Sequence, residues 1–138
     1  MARKDKNVIK LSSFYQPFPR QAEFHANPAK YRLFGGAAGP GKSYAMLWEA
    51  IMQCLDVPGS NCLLLRRTYP RLQQGLIDHF LKYIPVEIYG GARNYNQTDH
   101  IVRFTNKSTL RFGHCQHESD VRNYQGGEYL FIGFDELT

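Results

Sequence analysis

Residues 34–47 read FGGAAGPGKSYAML, and within them Gly36, Gly41, Lys42 and Ser43 satisfy the spacing G-x-x-x-x-G-K-[ST]. An apolar segment, YRLFGG, precedes the pattern, and an apolar segment typical of a buried helix, residues 43–55, follows it. Glycines let such a loop curl until its N–H groups converge on phosphate oxygens, and the helix N-terminus adds a positive partial charge. The loop predicts a phosphate-binding strand–loop–helix unit; the alternative is a glycine-rich turn that carries a lysine by chance.

Composition limits the remaining choices. The chain has 138 residues, of which 43% are hydrophobic, and this fits one folded domain. No apolar run approaches the roughly 18 residues that span a bilayer, and residues 1–13 lack the apolar centre of a secretory leader, so we expect an intracellular protein without a membrane partner.

The three cysteines of the chain form no C-x-x-C pair, which favours reduced thiols. His114, Cys115 and His117 could ligate a metal, but a strand end with solvent-facing histidines is the simpler interpretation.

The net charge of +5 is concentrated at the front of the chain. Residues 1–34 contain seven Lys or Arg and two Asp or Glu, whereas the remaining 104 residues contain ten of each sign. A basic arm attracts nucleic acid by counterion release, and such arms are also commonly solvated tails. We therefore divide the chain into a basic arm, residues 1–15, and a domain, residues 16–138, and leave both roles of the arm open.

The hydrophobic pattern of the remaining sequence also indicates an α/β fold. The continuous apolar run NCLLLRR, residues 61–67, predicts a parallel strand covered on both faces, which completes a βαβ unit. A second, amphipathic helix ends at Pro85, and residues 101–113 predict a β-hairpin around Asn106 and Lys107. Residues 118–127 suggest one helical turn, and YLFIGF, residues 129–134, predicts a last buried strand. The apolar positions of that second helix are Leu72, Leu76, Ile77, Phe80, Leu81 and Ile84.

Two acidic residues follow the last predicted strand. Asp135 is the first polar residue after the apolar run, and ligands bind at that carboxyl edge in open α/β sheets. Glu136, next to it, is a candidate general base for activating water. With Lys42 reaching the β- and γ-phosphates and Ser43 and Asp135 holding Mg²⁺, the chain contains the parts of a nucleoside triphosphatase.

At this point the sequence resembles the N-terminal part of the ATPase domain of tailed-phage terminase large subunits. The resemblance runs from about residue 16 to the last residue, and it is carried by GGAAGPGKS, LLLRRTYPRLQQG, RFTNKSTLRFGHCQHESDVRNYQGGEY and LFIGFDELT. It implies an α/β P-loop NTPase of the additional-strand catalytic-glutamate type, with a mainly parallel sheet and an inserted β-hairpin.

The resemblance also implies a function. ATP, with Mg²⁺, would be hydrolysed to drive double-stranded DNA into a procapsid, in a homo-oligomeric ring that meets a portal ring and a small terminase subunit. The implied location is the host cytoplasm, transiently on the procapsid. Two alternatives stay open: a helicase-like, nucleic-acid-dependent ATPase, and a non-catalytic remnant.

Individual roles follow from the same resemblance. Gln21 resembles an adenine-reading glutamine, the alternative being a surface glutamine that opens a helix. Many terminases carry an arginine within the loop, but residues 37–40 here are Ala, Ala, Gly and Pro. A transition-state arginine must then come from Arg66, Arg67 or Arg103; the first two are also candidate phosphate sensors or contacts to a neighbouring subunit, and at least one is expected to be an ordinary surface arginine. The implied nucleotide contacts in the loop are Gly36, Ala37, Ala38, Gly39, Gly41, Lys42, Ser43 and Tyr44.

Thr138 is the last residue of the sequence, two residues after the acidic pair. Relative to the family, we expect the coupling segment, further strands and a nuclease domain to be missing. In ATPases of this type the coupling strand lies between the loop strand and the acidic strand. We therefore expect these two strands not to be neighbours here, with two unpaired strand edges between them.

Overall fold

The computed structural model describes residues 15–17, 19–26, 31–34, 40–115, 124 and 128–135. Residues 1–14 of the arm, residues 35–39 of the glycine-rich loop, the predicted helical turn apart from Tyr124, and Glu136 lie outside these residues. Among the residues described, no helix is both long enough and apolar enough to cross a membrane.

In the part of the chain that the structure describes, helices alternate with strands up to residue 66, after which helical segments and then four strands follow. Its α-helices are α1 (Pro19–Ala26), α2 (Pro40–Asp56), α3 (Tyr69–Arg71) and α4 (Asp78–Tyr83), and a π-helical segment, Leu72–Ile77, joins α3 to α4. Two single 3₁₀ turns, Val86–Ile88 and Ala92–Asn94, follow α4. The strands are β1 (Tyr31–Phe34), β2 (Asn61–Arg66), β3 (Tyr95–Asn96), β4 (Ile101–Arg103), β5 (Thr109–His114) and β6 (Phe131–Asp135).

The six strands form one sheet in the order β1-β6-β2-β5-β4-β3. β6 pairs in parallel with both β1 and β2, and β2 pairs in parallel with β5. The β4–β5 and β3–β4 pairs are antiparallel. The mixed α/β fold, the mainly parallel sheet and the hairpin are therefore confirmed.

The expected separation of the loop strand from the acidic strand is wrong. β1 lies directly beside β6, with Tyr31 opposite Ile132 and Phe34 opposite Asp135. An unpaired apolar edge on β6 would leave main-chain N–H and C=O groups without partners, and parallel pairing with β1 satisfies them. The two halves of the predicted site therefore start from neighbouring strands.

α2 is the central helix of the fold. It begins three residues before the predicted segment, at Pro40, which is tolerated in a first helical turn because its missing N–H has no intrahelical partner there. A glycine lets the helix approach the sheet: a Cβ on Gly133 of β6 would lie 2.8 Å from Met46 Cε and 2.8 Å from Leu64 Cδ2. The helix side chains that become fully buried are Ala45, Met46, Leu47, Trp48, Ala50, Ile51 and Cys54.

The remaining predictions hold with local changes. β2 is buried at its four central residues, as its continuous apolar run indicates. The second helix ends at Tyr83, and of its predicted apolar face only Leu81, at 45%, is exposed; the wider π-helical turn before α4 shifts the residues that follow it. The hairpin turn has Lys107 at φ 73°, and β6 begins at Phe131 and includes Asp135 as its last residue.

Candidate functional site

The predicted loop leaves β1 and enters α2, and the structure describes both of these ends. β1 finishes at Phe34 and α2 begins at Pro40. Gly36, Ala37, Ala38 and Gly39 lie outside the described residues, so their predicted contacts stay predictions. Gly41, Lys42, Ser43 and Tyr44 lie in the first turn and a half of α2.

The acidic strand ends beside the loop. Asp135 is the register partner of Phe34, the last residue of β1. Both strands run in the same direction, so the loop leaves the sheet at the edge where β6 ends. The backbone of Asp135 is thereby placed next to the entrance of the loop, while Glu136 lies outside the described residues.

Ser43 is the most deeply buried polar residue at the start of α2. It is 3% exposed, and its hydroxyl oxygen accepts a hydrogen bond of 3.0 Å from Nη2 of Arg66. Arg66 is the last residue of β2, the strand on the other side of β6 from β1. A guanidinium from one strand end therefore reaches the helix that follows the loop.

The other candidate arginines are placed differently. Arg67 directly follows β2 and is half-buried. Arg103 is exposed on β4, and β5 separates that strand from β2. The structure thus brings Arg66 to the predicted site and leaves Arg103 on the far hairpin.

Gln21 is packed against the same helix end. It is 6% exposed, and its Nε2 donates a hydrogen bond of 2.8 Å to the carbonyl oxygen of Gly41. The interpretation of Gln21 as a surface glutamine is therefore wrong. Its burial against the loop helix is compatible with the adenine-reading role, which stays a prediction.

A buried polar chain fastens α1 to α2 behind Gln21. The Tyr15 hydroxyl lies 2.7 Å from Nε2 of His25, and Nδ1 of His25 lies 2.7 Å from Oε1 of Glu49, which is 5% exposed. The Tyr15 ring stacks on Trp48 at 5.3 Å, and burial raises the pKa of its phenol well above the usual range. These side-chain contacts fix α1, which carries Gln21, to α2, which carries Ser43.

Lys42 and Tyr44 flank Ser43 at the start of α2. Both are half-buried. The Tyr44 ring makes edge-to-face contacts with Trp48 at 6.2 Å and with Tyr83 at 6.1 Å. Tyr44 therefore also serves the packing between α2 and α4.

The candidate metal ligands lie only partly within the described residues, whereas the three cysteines all lie within them. Within the described part of the chain, no group of three or more His, Cys, Asp and Glu side chains could hold a metal ion. His114 is exposed at the end of β5, Cys115 is buried, and His117 lies outside the described residues. All three cysteines are free thiols, as predicted, and all three are buried.

A separate cavity of about 380 Å³ lies at the carboxyl end of β5. Its lining includes Tyr69, His100, Arg111 and His114, and no residue of α2. Among the described residues, the cavity therefore does not border the helical part of the predicted site.

Sequence patterns did not predict the contacts that build the site. The Arg66–Ser43 and Gln21–Gly41 hydrogen bonds join residues 23 and 20 positions apart, and the Tyr15–His25–Glu49 chain was not foreseen. One signal was available: Gly75, against which the Arg66 guanidinium packs, is an isolated glycine inside a helical pattern, and such a glycine often has a packing reason.

Comparison with known proteins complements this geometry. No curated protein and no solved structure matches the chain. A family model described as "Terminase large subunit, T4likevirus-type, N-terminal" matches residues 33–138, from β1 to the acidic pair. The match covers more than half of the chain, and the protein therefore belongs to the terminase large-subunit N-terminal family.

Proposed function

We propose that this chain is the ATP-binding and ATP-hydrolysing part of a terminase large subunit, and that it has a P-loop NTPase fold. The observation that carries the proposal is the register of β1 with β6, in which Phe34 lies opposite Asp135. This pairing starts the loop with the G-x-x-x-x-G-K-S spacing beside the end of the acidic strand. Family membership supports the DNA-packaging role.

The residues at this edge fit a nucleoside triphosphate with Mg²⁺. An ammonium group, a buried hydroxyl and a guanidinium lie at or beside the N-terminal end of α2, on Lys42, Ser43 and Arg66. The 17-residue helix adds the positive end of its dipole, which favours phosphate. Bound ATP would supply the phosphoanhydride bond whose hydrolysis releases energy.

Each residue has a distinct part in the proposal. Main-chain N–H groups of residues 36–39 and 41–43 and the Lys42 ammonium bind the phosphates, and Ser43 and Asp135 are oxygen ligands for Mg²⁺. Glu136 accepts a proton from the attacking water. Gln21 is placed to recognise the adenine edge, since its amide can both donate and accept a hydrogen bond.

The proposed substrate of the motor is double-stranded DNA, translocated into a procapsid by a ring of full-length subunits. The proposed partners are a portal ring and a small terminase subunit, in the host cytoplasm. The basic arm, residues 1–15, adds a sequence-independent attraction for phosphate backbones.

Phosphate release by the whole chain tests the proposal. We expect Mg²⁺-dependent release that Lys42→Ala and Glu136→Gln each lower by at least about 100-fold. Glu136→Gln is expected to retain ATP binding, because it removes the base and leaves the phosphate contacts. Glu128→Gln is the matched control, since Glu128 is exposed and precedes β6, and it should release phosphate like the parent chain.

Three outcomes would separate the alternatives. Equal background rates in the parent chain and Lys42→Ala would favour the non-catalytic remnant and contradict the proposal. Stimulation by single-stranded nucleic acid rather than by duplex DNA would favour the helicase-like ATPase. Unchanged hydrolysis by Glu136→Gln would remove Glu136 from the catalytic role.

A further inference from the structure

Arg66 makes a contact that the proposed function does not explain. Its Nη2 donates to the Ser43 hydroxyl at 3.0 Å, and Ser43 is 3% exposed. The same hydroxyl oxygen is the proposed Mg²⁺ ligand. A positive side chain is therefore hydrogen-bonded to the oxygen that a divalent cation would use.

Gly75 makes room for this guanidinium. A Cβ built on Gly75 would lie 2.6 Å from Cζ, 2.6 Å from Nη1 and 2.7 Å from Nη2 of Arg66. Real Cβ atoms essentially never come this close to another heavy atom. The guanidinium therefore lies against the bare main chain of Gly75, and any side chain there would push it away.

The surface beneath the guanidinium belongs to an unusual element. Gly75 lies within the π-helical segment Leu72–Ile77, and such segments occur frequently at functional sites. This segment connects α3, whose N-cap Thr68 directly follows Arg67, to α4. A movement of Arg66 would therefore first change the packing of the segment that joins these two helices.

Electrostatics determine what happens when a cation reaches Ser43. A hydroxyl oxygen has two lone pairs, and Arg66 uses one of them. A guanidinium and a divalent cation on the same oxygen would repel each other at short range. The two cations therefore compete for Ser43.

We propose that Arg66 is a positioning residue of the phosphate–metal site. In the nucleotide-free chain Arg66 holds the Ser43 hydroxyl, and Gly75 leaves the space that its guanidinium occupies. Arg66 leaves Ser43 when Mg²⁺ and a nucleoside triphosphate bind. The inference rests on the proposed function. It assigns Arg66 a role within its own chain, through Ser43, rather than at a neighbouring subunit.

The test measures the Mg²⁺ concentration at which a fluorescent ATP analogue is half-maximally bound. Arg66→Gln removes the competing charge and should lower this concentration by about fivefold. Gly75→Ala retains the arginine but pushes its guanidinium away from residue 75. This variant should therefore also lower the Mg²⁺ concentration needed for half-maximal binding. Arg93→Gln removes one positive charge from an exposed position and should leave the concentration unchanged.

The double variant separates positioning from general packing. If Gly75 acts only through Arg66, Gly75→Ala should have no further effect on the Mg²⁺ requirement in the Arg66→Gln chain. Additive effects, or an unchanged or raised requirement in Arg66→Gln, would overturn the inference while leaving the proposed function intact. Absence of analogue binding by the parent chain at saturating Mg²⁺ would instead overturn the proposed function, and the displacement of Arg66 with it. Circular dichroism melting of each variant shows that the changes are measured on folded protein.

Discussion

The two ends of α2 are both held by side chains from distant parts of the sequence, but with different chemistry. At the carboxyl end, the Cys54 carbonyl accepts hydrogen bonds from Ser108 Oγ at 2.7 Å and from Asn106 Nδ2 at 2.9 Å. At the amino end, Gly41 and Ser43 accept from Gln21 and Arg66. One end is held by short neutral groups of a tight turn, and the other by long side chains, one of them charged.

This difference separates a structural anchor from a site that can change. Asn106 and Ser108 belong to the β4–β5 turn, where Asn106 Oδ1 also accepts from the Ser108 N–H at 3.0 Å. Short side chains in such a turn have few rotamers to exchange. Arg66 has a long flexible stem, and its partner is a hydroxyl rather than a helix carbonyl, so it can leave without unwinding α2. We therefore expect substitutions at the carboxyl end to change mainly stability, and substitutions at the amino end to change ligand binding together with a smaller loss of stability.

The largest stability effect is expected for Asn106→Ala. It removes the bond to the Cys54 carbonyl and the bond from the Ser108 N–H, so the free energy of unfolding should fall by about 2 kcal/mol. Urea denaturation measures this change. Gln97→Ala also removes a side-chain amide, but from an exposed turn position, so this matched control should stay within about 0.5 kcal/mol of the parent chain. A loss of ATP affinity in folded Asn106→Ala would break the contrast between the two ends.

A smaller stability effect is expected for Gln21→Ala. It removes one hydrogen bond to Gly41, so unfolding should become easier by about 1 kcal/mol. If Gln21 reads adenine, affinity for ATP should fall while affinity for GTP stays the same, as measured by competition against a fluorescent nucleotide. Equal losses of affinity for both nucleotides would show that Gln21 only stabilises the helix that follows the loop. Unchanged affinity for both would show that Gln21 does not belong to the nucleotide site.

Much of the fold followed from local patterns. The continuous apolar run of β2 predicted a strand covered on both faces, and its four central residues are buried. The hairpin, the helix of α2 and the last strand were also predictable, since each depends on a repeating pattern or on a turn within a few residues. The loop residues could be chosen because their spacing is fixed within eight positions.

Long-range contacts were not predictable in this way. The pairing of β1 with β6 joins segments about a hundred residues apart, and the resemblance to other ATPases predicted a different order. No periodicity indicates that Arg66 reaches Ser43 or that Tyr15, His25 and Glu49 form a buried chain. Such contacts depend on how packed elements meet, and a single sequence contains little information on that.

The central claim is that a triphosphate binds where β1 and β6 end, at the amino end of α2. An experimental structure of the chain with Mg²⁺ and a non-hydrolysable ATP analogue tests it most directly. We predict the phosphates along the main chain of residues 36–43, with the metal on the Ser43 hydroxyl and Asp135. Phosphates bound elsewhere, such as in the cavity beside Arg111, or a metal remote from Ser43, would contradict the account.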